Sequence, residues 1–357
     1  MRTTSRATWS TRRTVRPRRR ATGITVRGRS ARSPSMAARS EARRGTTVGL
    51  RDRKPTTTEE YQAYRTRLNN WGKWGAEDQF GTLNYIDANV RQRAAALVRE
   101  GRTVSCANPL ATAAAVPDTK RNGRPADHRM TVNPGSTVDY VGVSYHGFVN
   151  THIDALCHIF AANGGPMWNN RPASLVTEAG AGANSIDVWR DGIVTRGILY
   201  DIPKMRGHDH VRIGEPVEGW HLEDWAKQQG LTPQPGDAVL IRSGSAPFWR
   251  ANPGFEMAMP LNTPGVAVSV LEFLHDTGAA LMGWDLQEAS GQEYTGERIP
   301  LHAIAIPHMG LPLLDNANFE GLSAVCAETG RYEFMLTIAP LVVLGGTGSP
   351  VNPIAMF

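Results

Sequence analysis

Along this chain, short runs with period-two alternation are interleaved with stretches of helical spacing, which predicts strands mixed with helices. Thr57 and Glu60 stand at capping-box spacing, and Tyr61, Tyr64 and Leu68 follow on one helical face. Asp87 reads as the cap of a second helix through Ala94, Leu97 and Val98, closed by Gly101. A third helix, Leu222 to Gln229, stops at Gly230, and a fourth begins at Thr263-Pro264 and stops at Gly278. Phe319 to Ala327 reads as the last. Strands are predicted at Thr103–Ala107, Val138–Val149, Ile193–Ile202, Ala238–Arg242, Ala279–Trp284, Leu311–Leu314 and Tyr332–Leu344, the final one bent by Pro340. Residues 108–137 and 161–187 read as long loops, of a length that often walls or covers a site. The pattern predicts a mixed α/β domain, and strand pairs with no helix between them argue against a simple doubly wound sheet.

Charge divides the chain. Residues 1–50 hold 14 arginines, no lysine and one acid, Glu41, whereas the whole chain carries +6. The remainder is therefore mildly acidic, and the basic character belongs to the first segment, not to a nucleic-acid-binding surface. That segment has the Arg- and Ser-rich, acid-poor composition of a transit peptide, and Arg12-Arg13 invites a twin-arginine reading, but residues 14–45 contain no apolar h-region. Low hydropathy with high net charge predicts a disordered extension over residues 1–56, and one catalytic domain over 57–357. No run of 18 apolar residues predicts a membrane span. Cys106, Cys157 and Cys326 are dispersed and odd in number, which points to a reducing, cytoplasmic setting.

Chemistry concentrates between Tyr145 and Phe160, where His146, His152, Asp154 and His158 fall within 13 residues. If the Val138–Val149 strand runs on, His146, Phe148, Asn150, His152 and Asp154 share one face. Imidazole nitrogen with carboxylate oxygen suits zinc or manganese. The alternative is a set of ordinary hydrogen-bonded histidines. Other motifs carry less. Gly345-Gly346-Thr347-Gly348-Ser349-Pro350 has no GK[ST] and opens no helix, so it reads as a turn. Cys157 reads as a buried thiol, His208-Asp209-His210 as a surface loop, and His302, His308 and Asp315 as core and turn residues.

His152-Ile153-Asp154-Ala155-Leu156-Cys157-His158 resembles the signature of the putative cyclase family, which includes bacterial kynurenine formamidases, isatin hydrolases and related lactone hydrolases. Asn70-Trp71-Gly72, Asp78 and Gly81-Thr82-Leu83-Asn84 resemble the start of its longer members. Pro235-Gly236-Asp237 with Leu240-Ile241-Arg242-Ser243-Gly244, then Tyr332-Glu333-Phe334 through Ala339-Pro340-Leu341 and Gly345 to Pro353, resemble its interior and its end. The resemblance implies a swivelling β/β/α fold with a mixed sheet, a homodimer, a small-molecule substrate and a zinc or manganese ion. By the same resemblance His152 and Asp154 match metal ligands and His158 matches the catalytic histidine. A further ligand histidine of shorter members corresponds to Phe148, leaving His146 or Asn150 as its replacement. His302 matches a later ligand, and Asp315 stands one residue beyond the position of its partner carboxylate. Phe148, Asn150, Phe160 and Trp168 are the expected substrate contacts. The expected activity is hydrolysis of an amide, cyclic amide or lactone by metal-activated water, with His158 as general base and acid. A metal-free binding protein on this fold and a cyclase running the reverse condensation are the alternatives.

Overall fold

The computed structural model describes residues 49–112, 124–162, 164–259 and 261–357. The expectation for the Arg-rich segment lies outside the described residues up to position 48. Residues 49–56 pack on the body. Leu50 is buried, and Arg53 reaches Glu272 at 3.2 Å and Asp276 at 2.5 Å.

Helices are α1 Thr58–Arg67, α2 Ala88–Ala95, α3 Ile202–Arg206, α4 Gly219–Gln228, α5 Ser245–Ala251, α6 Val270–Thr277, α7 His302–Ile304 and α8 Glu320–Thr329. The local chemistry of their starts is that of the sequence. The Thr57 hydroxyl accepts from the Glu60 N–H, and the Glu60 carboxylate accepts from the Thr57 N–H, both at 3.3 Å. Asp87 accepts from the Val90 N–H at 2.8 Å.

Strands are β1 Thr103–Ser105, β2 Asp127–Asn133, β3 Ser136–Gly142, β4 His152–Asp154, β5 Val176–Thr177, β6 Gly180–Ala181, β7 Ile193–Asp201, β8 Ala238–Arg242, β9 Leu281–Trp284, β10 Leu313–Asp315, β11 Glu333–Ile338, β12 Gly348–Pro350 and β13 Ile354–Met356. Nine form one mixed sheet in the order β1-β13-β11-β7-β8-β9-β10-β4-β12. β7 through β10 are parallel, and every residue of β8, β9 and β10 is buried, which explains their continuous apolar runs. β11 pairs antiparallel with β7 and alternates, with Phe334, Leu336 and Ile338 inward. α2 packs on β7 and β11, and α4 on β7 and α6.

Three of the expected elements take another form, and the expected 161–187 loop contains the short pair β5 and β6. The Val- and Tyr-rich stretch at 138–149 is not one strand. β3 ends at Gly142 and pairs only with β2 in a hairpin outside the main sheet, so part of the expected 108–137 loop is strand. Residues 113–123 lie outside the described set. The last long strand stops at Ile338, where its partner β7 begins at Ile193, and Leu341 to Leu344 are exposed. The helix expected from Thr263 begins at Val270, because Val266 bridges Val217 and Glu288 in extended form. Among the described residues no helix is long and apolar enough to cross a membrane.

Candidate metal centre

β4 is only three residues long, yet it lies antiparallel between β10 and β12, with His152 opposite Asp315 and Asp154 opposite Gly348. As alternate residues of one strand, His152 and Asp154 project to the same side. His152 Nδ1 donates to the Asn150 carbonyl at 2.8 Å. That bond fixes the tautomer, leaving Nε2 as a free lone pair 3.4 Å from Asp154 Oδ1 and 3.9 Å from Asp315 Oδ2. His146 arrives differently. The chain leaves β3 at Gly142 and returns through a bend, bringing His146 Nδ1 to 3.1 Å from Asp154 Oδ1 without hydrogen-bond alignment. Its Nε2 pairs with Thr347 Oγ1 at 3.1 Å, and Tyr145 donates to the Gly348 carbonyl at 2.9 Å. A Cβ on Gly348 would stand 2.6 Å from the Ile153 carbonyl oxygen and 2.9 Å from His146 Cε1, so only glycine admits this approach.

The opposite wall comes from the carboxyl ends of β9 and β10, where sites of α/β sheets form. Asp315 closes β10. Its Oδ1 accepts from Trp284 Nε1 at 2.6 Å and its Oδ2 from Gln287 Nε2 at 2.8 Å. His302 opens α7, just ahead of a π turn over Ala305–Met309. Its Nδ1 donates to Glu288 Oε1 at 2.6 Å, and its Nε2 faces Asp315 Oδ2 at 3.2 Å and Asp154 Oδ2 at 3.8 Å. A buried carboxylate behind a histidine is the arrangement that orients an imidazole toward a cation.

Two donor sets result, His146 with His152 and Asp154, and Asp154 with His302 and Asp315, the donor atoms of each lying within 4.8 Å of one another. Asp154 belongs to both. It is fully buried, and neither of its oxygens has a hydrogen-bond partner among the described residues. Burial alone would raise its carboxyl, but the surrounding histidines, His158 foremost, hold it well below the usual carboxylate range. A buried carboxylate without hydrogen bonds amid imidazole rings fits a divalent cation. His158 stacks on His146 with ring centroids 3.7 Å apart, and its Nε2 stands 3.9 Å from Asp154 Oδ2. Burial pushes the His158 imidazole down to about 4. Burial works in the same direction on His302, but Glu288 and Asp315 outweigh it and hold that ring well above its ordinary value.

The remaining sequence candidates scatter. Phe148 lines the pocket over His152, His158 and His302. Asn150 is buried, with its side chain accepting from the Ala111 N–H and its carbonyl holding His152. Trp168 is fully enclosed core, its indole donating to Asp78 at 3.2 Å and its ring closing against Gly310. Phe160 packs against the core instead of lining the metal pocket. The Cys157 thiol is buried and pushed up to about 12 by that burial, which leaves no thiolate. His308 is stacked on Trp71 away from the cluster, and His208 and His210 join neither donor set. Trp284, Gln287 and Glu288 were not singled out from the sequence. Their one signal was position, just beyond a buried parallel strand.

A family model described as "Putative cyclase" matches residues 80–289. No curated protein matches the chain. Among solved structures, a novel cyclase is similar over 82% of this chain and 99% of its own, at 28% identity and a TM-score of 0.71. An isatin hydrolase bound to the product analogue thioisatinate is similar over 76% of this chain and 98% of its own, at 16% identity and a TM-score of 0.50. Isatin hydrolase A from Labrenzia aggregata, bound to benzyl benzoate, is similar over 71% and 93%, at 18% identity and a TM-score of 0.51. The latter two likenesses are likenesses of fold.

Proposed function

The chain belongs to this cyclase family, and on that premise we propose that it is a metal-dependent hydrolase opening an amide, cyclic-amide or lactone carbonyl. The observation that carries the reading is Asp154, a carboxylate removed from solvent, without a hydrogen bond to either oxygen, and ringed by His146, His152, His158 and His302. His146, His152 and Asp154 would hold a zinc or manganese ion, which suits nitrogen donors mixed with carboxylate. His302 and Asp315 would complete a second position through the shared Asp154. His146 supplies the nitrogen that Phe148 cannot. A divalent cation, when bound, supplies polarisation of the carbonyl and activation of water near neutral pH.

The protein's own groups do the rest. His158, with its Nε2 3.9 Å from Asp154 Oδ2, takes the proton from the attacking water and returns it to the leaving nitrogen or oxygen. Glu288 holds the His302 ring, and Trp284 and Gln287 hold Asp315, so the donors stay aimed without a ligand's help. Phe148 lines the pocket and offers the substrate an apolar contact. A homodimer belongs to the same reading. The β2–β3 hairpin exposes Met130, Val132 and Val141 on one face, which a second copy would cover.

The test is turnover of simple amides, cyclic amides and lactones by zinc- or manganese-loaded protein. His158→Ala is expected to lose roughly 10²–10⁴-fold in kcat with unchanged metal content. Wild-type turnover in that variant would remove His158 from the chemistry.

A further inference from the structure

A cavity of 330 Å³ lies behind Phe148, bordered by Trp249 of α5, Leu261, Leu286 and Phe319. Phe148 and Gln287 line both this cavity and the pocket over His152, His158 and His302, so the two spaces adjoin. Met257 and Leu261 line the cavity, and Met259 lines the pocket over the histidines.

The charged groups at the cavity wall are already answered from within. Asp285 Oδ1 accepts from the Ser243 N–H at 2.6 Å, and its Oδ2 from the Gly244 and Ser245 N–H groups at 2.9 and 3.0 Å. Both Glu320 oxygens are taken by Arg242, at 3.0 and 2.9 Å. No lysine, arginine or histidine stands among the described lining residues. An anionic ligand group would therefore meet two carboxylates and no cation, at a desolvation cost nothing offsets. The side-chain amides of Asn108, Gln287, Asn316 and Asn318 at the wall donate to protein oxygens, so an apolar ring meets Phe148, Trp249, Leu261, Leu286 and Phe319 beside amide N–H groups already paired. A cavity of about 150 Å³ holds a benzene ring, so this one has room for a fused pair.

We propose that this cavity binds an uncharged aromatic or branched aliphatic part of the substrate while the carbonyl lies beyond Phe148 against the histidine cluster, so that it sets specificity. The inference rests on the hydrolase reading for the carbonyl's position, but the cavity's preference for a neutral ring is independent of any metal.

The test is calorimetric titration of the full-length, zinc-supplemented protein with 2-naphthalenemethanol and with 2-naphthalenesulfonate, which share a ring system and differ in charge. The neutral compound is expected to bind at least tenfold more tightly than the sulfonate. Leu261→Trp, which fills the cavity, is expected to abolish that binding and leave zinc uptake unchanged. Ala246→Leu, adding bulk from α5, is expected to weaken it by at least tenfold, so the outcome does not hang on the folding of one variant. Equal affinity for the sulfonate, no binding of the neutral compound, or undiminished binding in both variants would overturn the proposal. Protein that takes up zinc and hydrolyses acyl substrates but ignores 2-naphthalenemethanol loses this inference alone. Protein that binds 2-naphthalenemethanol but holds no metal loses the hydrolase reading alone.

Discussion

Gly348→Ala probes the centre without touching a donor. The added Cβ would meet the Ile153 carbonyl oxygen at 2.6 Å and His146 Cε1 at 2.9 Å. Carbon atoms rest at about 3.5–4.0 Å, so the His146 ring must retreat by roughly 0.6–1.1 Å. Metal–ligand distances tolerate about 0.2 Å, so a shift of that size removes His146 as a useful donor. Losing an outer-shell partner costs about 10–100-fold in metal affinity, so losing His146 itself is expected to weaken zinc binding by at least about 10-fold. Crowding between β4 and β12 also costs about 1–3 kcal/mol of stability. Gly346→Ala separates the two effects. Its Cβ would crowd Ile186 at 3.0 Å and the Val343 carbonyl at 3.1 Å, and its three nearest contacts include no histidine. Zinc affinity measured by calorimetry against a competing chelator, with Tm from circular dichroism, gives both quantities. Gly348→Ala should lose affinity and Tm, and Gly346→Ala should lose Tm alone. Wild-type zinc affinity in Gly348→Ala, or an equal affinity loss in Gly346→Ala, would refute the role of His146.

Two further predictions concern groups around the centre and far from it. Glu288→Gln replaces a buried charge-assisted bond to His302, worth about 1.5–3 kcal/mol, by a neutral one near 1. Affinity at the His302 side should fall about 2–30-fold in chelator-competition titrations, the 0.5–2 kcal/mol difference between the two bonds, and unchanged affinity for every equivalent would show that Glu288 orients nothing there. His221 accepts the Glu218 N–H at 2.9 Å, and burial first, then the nearby Arg206, depress it to about 4. A histidine depressed in the folded state stabilises fully above its unfolded value near 6.5, and that stability is lost as pH falls toward 4. His221→Gln keeps a capping residue at the same helix position, so urea unfolding at pH 7.5, 6.0 and 5.0 should show a shallower acid decline, and an identical decline would assign it to other groups.

Local chemistry was readable from the chain because it acts over a few residues. The caps at Thr57 and Asp87 and the buried runs of β8 and β9 needed no tertiary knowledge. His152 and Asp154 were readable as a pair because strand parity puts alternate residues on one side. The same parity argument brought His146 to the right place by the wrong route, since the strand stops at Gly142 and a bend makes the approach. Asp315 carried no local signal of its own and stood out through family resemblance. Glu288 and Gln287 were illegible because their partners lie 14 and 28 residues away and meet them only through the parallel sheet. Trp168 misled for the opposite reason. Aromatic side chains between glycines and asparagines look like a pocket wall, but its neighbours Asp78 and Gly310 enclose it completely.

The central claim is that Asp154 is buried with neither oxygen hydrogen-bonded among the described residues because a cation completes it. Metal content of the purified full-length protein, after supplementation with zinc or manganese and removal of free ion, tests this directly when measured beside Asp154→Ala. At least one equivalent in the wild type and less than about a tenth in the variant is the predicted result, since Asp154 belongs to both donor sets. Less than a tenth of an equivalent in the wild type, or equal content in the two proteins, would contradict it.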